Sequence, residues 1–240
     1  MKPYNEEQTK KEQVEQMFDN IAPTYDKLNH IMSLNIDRMW RRRVVRIIRR
    51  AEAERILDVA TGTGDLAIAM AKRCKQAHIL GVDLSEEMLA VARTKIAKQC
   101  LGERIAVEKG DAEQLRMVAD SSVDAVTVAF GVRNFENLPK GLTEMLRVLK
   151  PGGKLVILEL SIPRNPIIRW GYKLYFLKII PAIGGCVSGN RSAYEYLPSS
   201  VLRFPAPEKF MEMMQEAGFE QVRKKSFTMG ICHMYLGIKK

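Results

Sequence analysis

The chain has 240 residues, of which 46% are hydrophobic, and this size suits one α/β domain with added elements better than two full domains. Its net charge of +10 implies an anionic partner, either a nucleic acid or an anionic membrane surface. The four cysteines are scattered without a Cys-x-x-Cys pair, which argues against a zinc site or a disulfide framework and fits a reducing cytosol.

The N-terminal part is polar at its start and helical further on. Residues 1–11 are charged, so no signal peptide is expected. Residues 5–20 are expected to form a helix or to remain partly disordered. Residues 37–51 predict a basic amphipathic helix, because apolar side chains fall on one face and arginines cover the rest. We therefore interpret residues 1–52 as a helical region that faces the substrate and the membrane.

Strands and helices alternate from residue 55 onward, which predicts a parallel sheet with helices on both faces. The predicted strands cover 55–60, 77–82, 104–108, 123–129 and 153–160. The helices between them are predicted at 64–74, 86–100 and 136–149. The segment Lys150-Pro-Gly-Gly153 is expected to stop the last of these helices and to turn into the next strand.

The C-terminal part departs from this alternation. Residues 161–206 are expected to be an insertion, either a lid or a membrane-docking segment, because aromatic side chains alternate there with Lys and Arg. No stretch reaches the roughly 20 uncharged apolar residues of a membrane-spanning helix. A further helix is predicted at 207–217. Strands at 220–229 and 231–239, joined at Gly230, predict a final antiparallel hairpin on a mostly parallel sheet.

A glycine-rich turn after the first strand predicts a site for an adenosine-containing cofactor. Asp58 lies at the end of the strand, and Gly62-Thr63-Gly64 follows it before a helix. Glycine lets the backbone approach a ligand closely. Asp83 ends the next strand, at the distance expected for an acid that binds ribose hydroxyls. The spacing also satisfies the nicotinamide fingerprint, but Asp58 suits a ligand amino group and would repel a pyrophosphate.

The ends of the third and fourth strands carry further candidate residues. Asp111 and Ala112 follow the third strand, and Asp111 is expected to accept a hydrogen bond from an adenine amino group. Arg133 follows the fourth strand, within Phe130-Gly-Val-Arg-Asn134. A group that the cofactor transfers to a substrate would lie there. Arginine is a permanent cation, so its position at the mouth of the site calls for a function. No Asn/Asp-Pro-Pro-Tyr/Phe motif occurs there, which argues against methylation of nitrogen.

The segment Tyr25-Asp-Lys-Leu-Asn-His-Ile-Met32 adds polar side chains from the N-terminal part. It is expected to lie between two helices, from where Tyr25, Asp26 and His30 could reach a site. A lone histidine such as His30 is more often structural than catalytic.

Taken together, these segments resemble the menaquinone/ubiquinone-biosynthesis C-methyltransferases, which use S-adenosylmethionine, over residues 12–240. The segments that carry the resemblance are Met17-Phe-Asp-x-Ile-Ala-x-x-Tyr-Asp26, Asn29-x-x-Met-Ser33, Trp40, Asp58-Val-Ala-x-Gly-Thr-Gly-Asp65, Phe130-Gly-x-Arg-Asn134, Arg147-Val-Leu-Lys-Pro-Gly-Gly153 and Leu158-Glu159. The last two are common among methyltransferases in general. The Phe-Gly-x-Arg-Asn and Tyr-Asp-x-x-Asn elements are much more specific.

The resemblance implies one methyltransferase domain over residues 1–240. Its fold is an α/β fold with a seven-stranded Rossmann-like sheet, mostly parallel with a C-terminal antiparallel hairpin, and with helices on both faces. The family's cofactor positions fall on Thr63, Asp83, Asp111 and Ala112. The family pattern also places Tyr25 and Arg133 beside the substrate.

Four positions depart from the family pattern. Thr61 stands where many members have glycine, and Ala129 stands where they have serine, so one cofactor hydroxyl contact is expected to be missing. Asp37 replaces a frequent histidine, and His30 replaces a frequent aspartate. Neither His30 nor Asp37 is therefore assigned a catalytic role.

The implied reaction is methylation of a ring carbon of a prenylated hydroquinone, with 2-demethylmenaquinol as the acceptor in menaquinone synthesis. An aromatic carbon is a poor nucleophile, so the adjacent hydroxyl must lose its proton. Arg133 is expected to stabilise the resulting phenolate, and Tyr25 to position the hydroxyl or a water. The partners are expected to be the prenylated quinol and, transiently, the inner face of the cytoplasmic membrane. No metal and no nucleic acid are expected, and the location is expected to be cytoplasmic.

Three alternatives stay open at this point. One is a methyltransferase for another small molecule or for RNA, the second is a nicotinamide-dependent oxidoreductase, and the third is a non-catalytic protein that senses the cofactor. The sequence also leaves open the choice between a naphthoquinol and a benzoquinol, and the oligomeric state.

Overall fold

The computed structural model describes residues 8–175 and 191–240, which form a single sheet surrounded by helices. The helices are α1 (Lys10–Ile21), α2 (Tyr25–Met32), α3 (Ile36–Arg50), α4 (Asp65–Arg73), α5 (Glu86–Lys98), α6 (Leu138–Val148), α7 (Pro166–Leu174), α8 (Arg191–Arg203) and α9 (Pro207–Glu216). The strands are β1 (Arg55–Val59), β2 (His78–Asp83), β3 (Ile105–Lys109), β4 (Val123–Ala129), β5 (Leu149–Leu160), β6 (Phe219–Phe227) and β7 (Cys232–Lys239).

The seven strands have the order β3-β2-β1-β4-β5-β7-β6. Strands β1 to β5 pair in parallel, and β7 runs antiparallel to both β5 and β6. This confirms the predicted sheet, mostly parallel with a C-terminal antiparallel hairpin. The chain passes from β3 at one edge back to β4 beside β1, so the strand order reverses between β1 and β4. In open α/β sheets, ligands bind at such a reversal, outside the carboxyl ends of the strands.

Helices cover both faces of the sheet, as predicted. Successive side chains of a strand point to opposite faces, so Ile56 and Leu57 of β1 enter different cores. Ile56 lies in the core that contains Val44 of α3. Leu57 lies in the core that contains Leu142 of α6 and Phe210 of α9. The apolar face predicted for the arginine-rich helix is therefore the face that α3 packs on the sheet.

A third core joins the N-terminal helices to α7 and α8. It contains Met17 of α1, Leu28 of α2, Tyr172 of α7 and Tyr196 of α8, all of them buried. Met88 of α5 belongs to the same cluster and connects it to the sheet. None of the helices in the described part of the chain is both long enough and apolar enough to span a bilayer.

The structure adds three local details to the predictions. Residues 25–32 lie between the helices α1 and α3, as expected, and themselves form helix α2. The Pro-Gly-Gly segment lies within β5 and not before it, because β5 already starts at Leu149. The segment forms a bulge, since Leu149 pairs with Val123 of β4 and the next paired residue of β5 is Lys154, opposite Ala125. The final hairpin turns through Thr228–Gly230, a three-residue turn in which all three residues have positive φ.

Parts of two predicted regions lie outside the described residues. These parts are residues 1–7 of the N-terminal region and residues 176–190 of the insertion, which include Cys186. The described part of the insertion contributes α7 and α8. Cys74, Cys100 and Cys232 are free thiols.

Candidate active site

Two adjoining cavities open near the carboxyl ends of β1 and β4. The first, called the loop cleft here, is lined by the loops that follow β1 to β4 and by α1. The second, called the helix cavity, has a volume of about 440 Å³ and lies among α2, α3, α7 and the turn between β6 and β7. Tyr25 and Phe130 line both cavities and form the boundary between them.

The glycine-rich turn connects the end of β1 to the end of β2. Gly62 and Gly64 have φ angles of +55° and +77°, which glycine adopts without strain. The N–H of Gly62 donates to Asp83 Oδ2 at 2.7 Å, and the N–H of Ser85 donates to Asp83 Oδ1 at 3.0 Å. A Cβ added to Gly62 would meet no atom within 4 Å. The cleft is therefore open where a ligand would approach this backbone.

Carboxylates dominate the charge of the loop cleft. Those that line it are Glu15, Asp83, Asp111, Glu113 and Glu136. Burial raises the pKa of Asp83, although the backbone N–H groups that it accepts from oppose this effect. A pyrophosphate would be repelled by these groups, whereas a cationic ligand with free hydroxyls would be attracted. The cleft thus fits the sulfonium, ammonium and ribose groups of S-adenosylmethionine better than a dinucleotide.

Asp111 and Ala112 lie in the loop cleft after β3. The Asp111 carboxylate accepts from Lys11 Nζ at 2.7 Å and from the N–H of Glu113 at 2.9 Å. Ala112 is buried in the lining. Lys11 belongs to α1, so this ion pair fastens the N-terminal helix across the cleft.

Asp58 lies beneath the turn and is not among the residues that line the cleft. It is buried, and its carboxylate accepts hydrogen bonds from Thr61 Oγ1 at 2.7 Å and Thr127 Oγ1 at 2.5 Å. Burial raises the pKa of Asp58 to about 6, even though both hydroxyls favour the ionised form. The structure therefore places Asp58 where it supports the turn from below.

Thr63 and Gly64 also lie behind the surface of the loop cleft. The ammonium group of Lys95 donates to Thr63 Oγ1 at 3.2 Å, to Asp26 at 2.5 Å and to Asp65 at 2.6 Å. The Thr63 hydroxyl in turn donates to Asp26. This network fixes the turn between α2 and α5.

Arg133 lines the helix cavity and is held by a buried carboxylate. Its Nη1 donates to Glu159 Oε1 at 2.7 Å, and its backbone N–H donates to Glu159 Oε2 at 3.2 Å. Burial is the largest influence on Arg133 and disfavours its charge, but the Glu159 carboxylate together with Tyr25 and Tyr196 raises the pKa of the guanidinium overall. Within the described part of the chain, Arg133 Nε is buried without a hydrogen-bond partner. A permanent cation with a donor to spare therefore lies at the cavity wall.

Tyr25 is the first residue of α2 and lies between the two cavities. Its ring contacts Phe18 edge-on, with the ring centroids 6.0 Å apart. Burial raises the pKa of the Tyr25 hydroxyl, and the charges of Arg133 and Arg41 oppose this effect. The structure thus brings Tyr25 and Arg133 to the same cavity, although 108 residues separate them in the chain.

Sequence reasoning missed a second arginine, Arg41, on the wall of the helix cavity. Its guanidinium lies over the ring of Phe130, 5.4 Å from the centroid, and Nη1 donates to Asp37. Asp37 also accepts from Ser33 Oγ at 2.6 Å and lies 3.0 Å from His30 Nδ1. The signal that could have found Arg41 is its spacing of four residues from Asp37, which places both on one helix face.

His30 and Asp37 form a pair at two positions that both depart from the family pattern. The family pattern frequently has these two residue types in the opposite order, and in this chain His30 Nδ1 lies 3.0 Å from Asp37 Oδ2. The ligand atoms of His30, Asp37 and Asp65 lie within 4.8 Å of one another, as metal ligands can. Arg41 and Lys95 already pair with these carboxylates, so the cluster is neutralised by side chains of the chain itself.

Comparison with solved structures identifies the fold class. A TM-score of 0.70 relates the chain to the [4+2]-cyclase SpnF, at 19% identity and with 97% of each chain covered. A TM-score of 0.63 relates it to an S-adenosylmethionine-dependent methyltransferase of Thermotoga maritima, at 20% identity with 95% of this chain and 100% of the other covered. The fold is that of the Rossmann-like methyltransferases.

Comparison of sequences identifies the family. The model of the ubiE/COQ5 methyltransferase family matches residues 6–239, and the chain belongs to this family. It is 46% identical to demethylmenaquinone methyltransferase of Bacteroides fragilis, with 100% of this chain and 97% of the relative covered. It is also 46% identical to ubiquinone/menaquinone biosynthesis C-methyltransferase UbiE of Geobacter sulfurreducens, with 96% and 90% covered.

The chain is thus an S-adenosylmethionine-dependent C-methyltransferase, as the sequence motifs predicted. The comparisons give no support to the oxidoreductase, RNA-methylating or non-catalytic alternatives.

Proposed function

We propose that the chain methylates a ring carbon of a prenylated hydroquinone, converting 2-demethylmenaquinol to menaquinol. The observation that carries this proposal is the helix cavity, which is mostly apolar, adjoins the loop cleft and holds the cation of Arg133. An apolar wall suits the ring and the start of the prenyl tail, and a buried cation suits an ionised ring oxygen. The names of the relatives support this substrate class over other acceptors.

In this proposal, the side chains of the helix cavity prepare the ring for reaction. S-adenosylmethionine, when bound in the loop cleft, supplies the methyl group as an electrophile. Arg133 stabilises the negative charge that the ring oxygen gains when its proton leaves, directly or through a water. Tyr25 positions that hydroxyl or water from the boundary between the cavities. The ring carbon bonds to the methyl carbon as the methyl–sulfur bond breaks, which would leave S-adenosylhomocysteine. The ring carbon then loses its hydrogen as a proton and the ring oxygen is protonated again, so the overall reaction releases one proton.

We propose that the loop cleft holds the cofactor through the residues that line it. Asp83 binds the ribose hydroxyls, and Asp111 and Ala112 bind the adenine end. Gly62 lets the backbone come close to the ligand. Asp58, Thr63 and Gly64 shape the turn from behind, because their side chains or backbone are already engaged within the protein. This differs from a direct contact between Asp58 and the ligand amino group.

The substrate can be tested in cells that lack this chain. We expect the lipid quinone pool to be short of one methyl group, with demethylmenaquinone in place of menaquinone, and restoration by the wild-type gene. Mass spectrometry of extracted quinones makes this measurement. A pool with fully methylated menaquinone would contradict the proposed substrate, and a pool short of a methyl group on a benzoquinone would redirect it to ubiquinone precursors.

We also propose that the enzyme meets its substrate at the inner face of the cytoplasmic membrane, because a prenyl tail does not cross water. Three elements present exposed apolar residues around the mouth of the helix cavity. These are Leu34 before α3, 74% exposed, Ile167 and Trp170 on α7, 81% and 71% exposed, and Met229 in the hairpin turn, 69% exposed. Arg169 and Lys173 of α7 and the outer arginines of α3 are also exposed. Apolar side chains ringed by cations suit an anionic lipid surface. In this proposal, the N-terminal region 1–52, the insertion 161–206 and the hairpin turn supply the contact.

Co-sedimentation with vesicles tests this contact. We expect the protein to bind vesicles that contain phosphatidylglycerol at low salt, to bind pure phosphatidylcholine weakly, and to be released by salt. The double variant Leu34→Ser, Trp170→Ser should bind several-fold more weakly, because both apolar tips are lost. Met117→Ser is the matched control, since Met117 is exposed and lines neither cavity. Negligible binding of the wild type at low salt would contradict the contact.

A further inference from the structure

Two arginines line the helix cavity, and each is held by a buried carboxylate. Glu159 holds Arg133 from β5, and Asp37 holds Arg41 from the preceding turn of α3. Both arginines also contact Phe130, because Arg133 donates to its backbone carbonyl and Arg41 lies over its ring. The cavity therefore has two separate cations, one at the backbone of Phe130 and one at its ring.

The anchor of Arg41 is built as firmly as that of Arg133. Asp37 is 4% exposed, and its carboxylate is surrounded by Ser33, His30 and Arg41. Burying an ion pair costs desolvation energy that a pair of apolar residues would avoid. Such a pair in the wall of a mostly apolar cavity indicates a polar group on the ligand.

Arg41 keeps donors free for that group. Within the described residues, Asp37 and Asp65 both lie against Nη1, at the same end of the guanidinium. The Nε and Nη2 donors are not used by these contacts. The other polar groups around the cavity include Tyr175, which donates to the Met32 carbonyl, and Thr228, which accepts from Trp40.

We infer that Arg41 binds the second ring oxygen of the substrate, so that the site recognises a ring with two hydroxyl groups on opposite carbons. This inference rests on the proposed function, in which Arg133 serves the oxygen that ionises. A hydroquinone carries its two oxygens at opposite ends of the ring, and each needs a partner in an apolar cavity. With both oxygens fixed, the axis of the ring through them is set. The prenyl tail in the apolar part of the cavity then sets the rotation about this axis, so that the carbon beside the ionised oxygen faces the loop cleft. Arg41 is then a specificity-determining residue.

Binding of two matched ligands tests this role without turnover. The ligands are 2-prenyl-1,4-naphthalenediol and 3-prenyl-1-naphthol, which keeps the hydroxyl beside the acceptor carbon and lacks the other. Calorimetry is performed without oxygen on protein saturated with S-adenosylhomocysteine. We expect the wild type to prefer the diol by roughly 10- to 100-fold, the range of a charge-assisted hydrogen bond. Arg41→Met should lower diol affinity to that of the naphthol and leave the naphthol affinity within about twofold.

Two further variants guard against loss of folding. Arg41→Lys keeps a charge beside Asp37 but lacks the planar fork, so it should retain the fold and lose most of the preference. Asp37→Asn, Arg41→Met removes both charges together and should lose all of it. The matched control Arg42→Met changes an exposed arginine on the same helix and should keep the full preference.

The outcomes separate this inference from the proposed function. An equal loss of affinity for both ligands in Arg41→Met, or a wild type without preference for the diol, would overturn the role of Arg41. Diol preference that depends on Arg41, in a protein that does not methylate demethylmenaquinol, would support Arg41 and contradict the proposed acceptor.

Discussion

The two cavities differ in what they are made of. The loop cleft consists largely of backbone and short side chains in the loops that follow successive strands, and its charge comes from carboxylates. The helix cavity consists largely of side chains from α2, α3 and α7, and its cationic charge comes from two anchored arginines. This contrast in charge suits a reaction between a cationic methyl donor in the loop cleft and an ionised ring in the helix cavity. Tyr25 and Phe130 form the boundary across which the methyl group would pass.

The contrast also shows which kind of site a sequence reveals. A turn of glycines after a strand, with an acid at the end of the next strand, is encoded within about 25 residues. A cavity between helices depends on which side chains meet, and residues that meet there lie more than 100 positions apart. The following experiments test whether each cavity has the role assigned to it.

The largest effect is expected from the helix cavity. Arg133→Ala should slow methyl transfer at least about 100-fold, equivalent to about 3 kcal/mol of transition-state stabilisation, because the ring oxygen loses its cation. The affinity for S-adenosylhomocysteine should stay within about twofold, since Arg133 does not line the loop cleft. Single-turnover rates and calorimetry on one preparation measure both. Wild-type turnover in this variant would remove Arg133 from the mechanism.

A second effect concerns Asp58, which belongs to neither cavity surface. Its pKa is raised from 3.8 to about 6 in the folded chain, so the folded state binds the proton more tightly than the unfolded state. The contribution of Asp58 to the free energy of unfolding should therefore be largest below pH 4 and fall by about 2 to 3 kcal/mol as the pH rises through about 6.

The variant Asp58→Asn isolates this contribution. Urea unfolding of both proteins from pH 4 to pH 7 should show the difference in stability changing across this interval, with the variant gaining relative to the wild type as the pH rises. A difference that is constant with pH would mean that Asp58 is ionised throughout, and hence that it faces solvent or a cation.

The smallest effect is expected in the loop cleft. Asp83→Asn should weaken binding of S-adenosylhomocysteine about 10-fold, because an amide offers the ribose diol a single acceptor and places an N–H against the N–H of Gly62. The rate of methyl transfer at saturating cofactor should change little. Asp120→Asn is the control, since Asp120 is an exposed acid outside both cavities. Unchanged affinity in Asp83→Asn would place the ribose elsewhere.

Much of the fold could be predicted because its signals are local. The alternation from residue 55 onward gave the parallel strands, and Gly230 marked the final hairpin. Helix α2 was missed because it has only eight residues, most of them polar. It is stabilised by the packing of Leu28 and Met32, which the local sequence does not reveal. The bulge at Pro151 was missed because proline and glycine give the same sequence signal at a bulge within a strand as at a break between two elements.

The candidate site could be predicted in part. Motif spacing located the turn, Asp83 and Arg133, but it did not separate the residues that face the cleft from those that stand behind it. Asp58 accepts from the Thr127 hydroxyl and Thr63 accepts from Lys95, and both of these partners are distant in the chain. Arg41 was hidden among seven arginines of one helix, and the structure distinguishes it because its side chain turns inward to Asp37 and Phe130.

The most direct test of the account is methyl transfer by the purified protein. S-adenosylmethionine with a labelled methyl group and short-chain 2-demethylmenaquinol are incubated with the enzyme without oxygen, and the products are analysed by mass spectrometry. The account predicts labelled menaquinol with the new methyl group on the ring carbon beside a hydroxyl, and almost none with Arg133→Ala. Label on oxygen, or no label in the quinol while the cofactor binds normally, would contradict it.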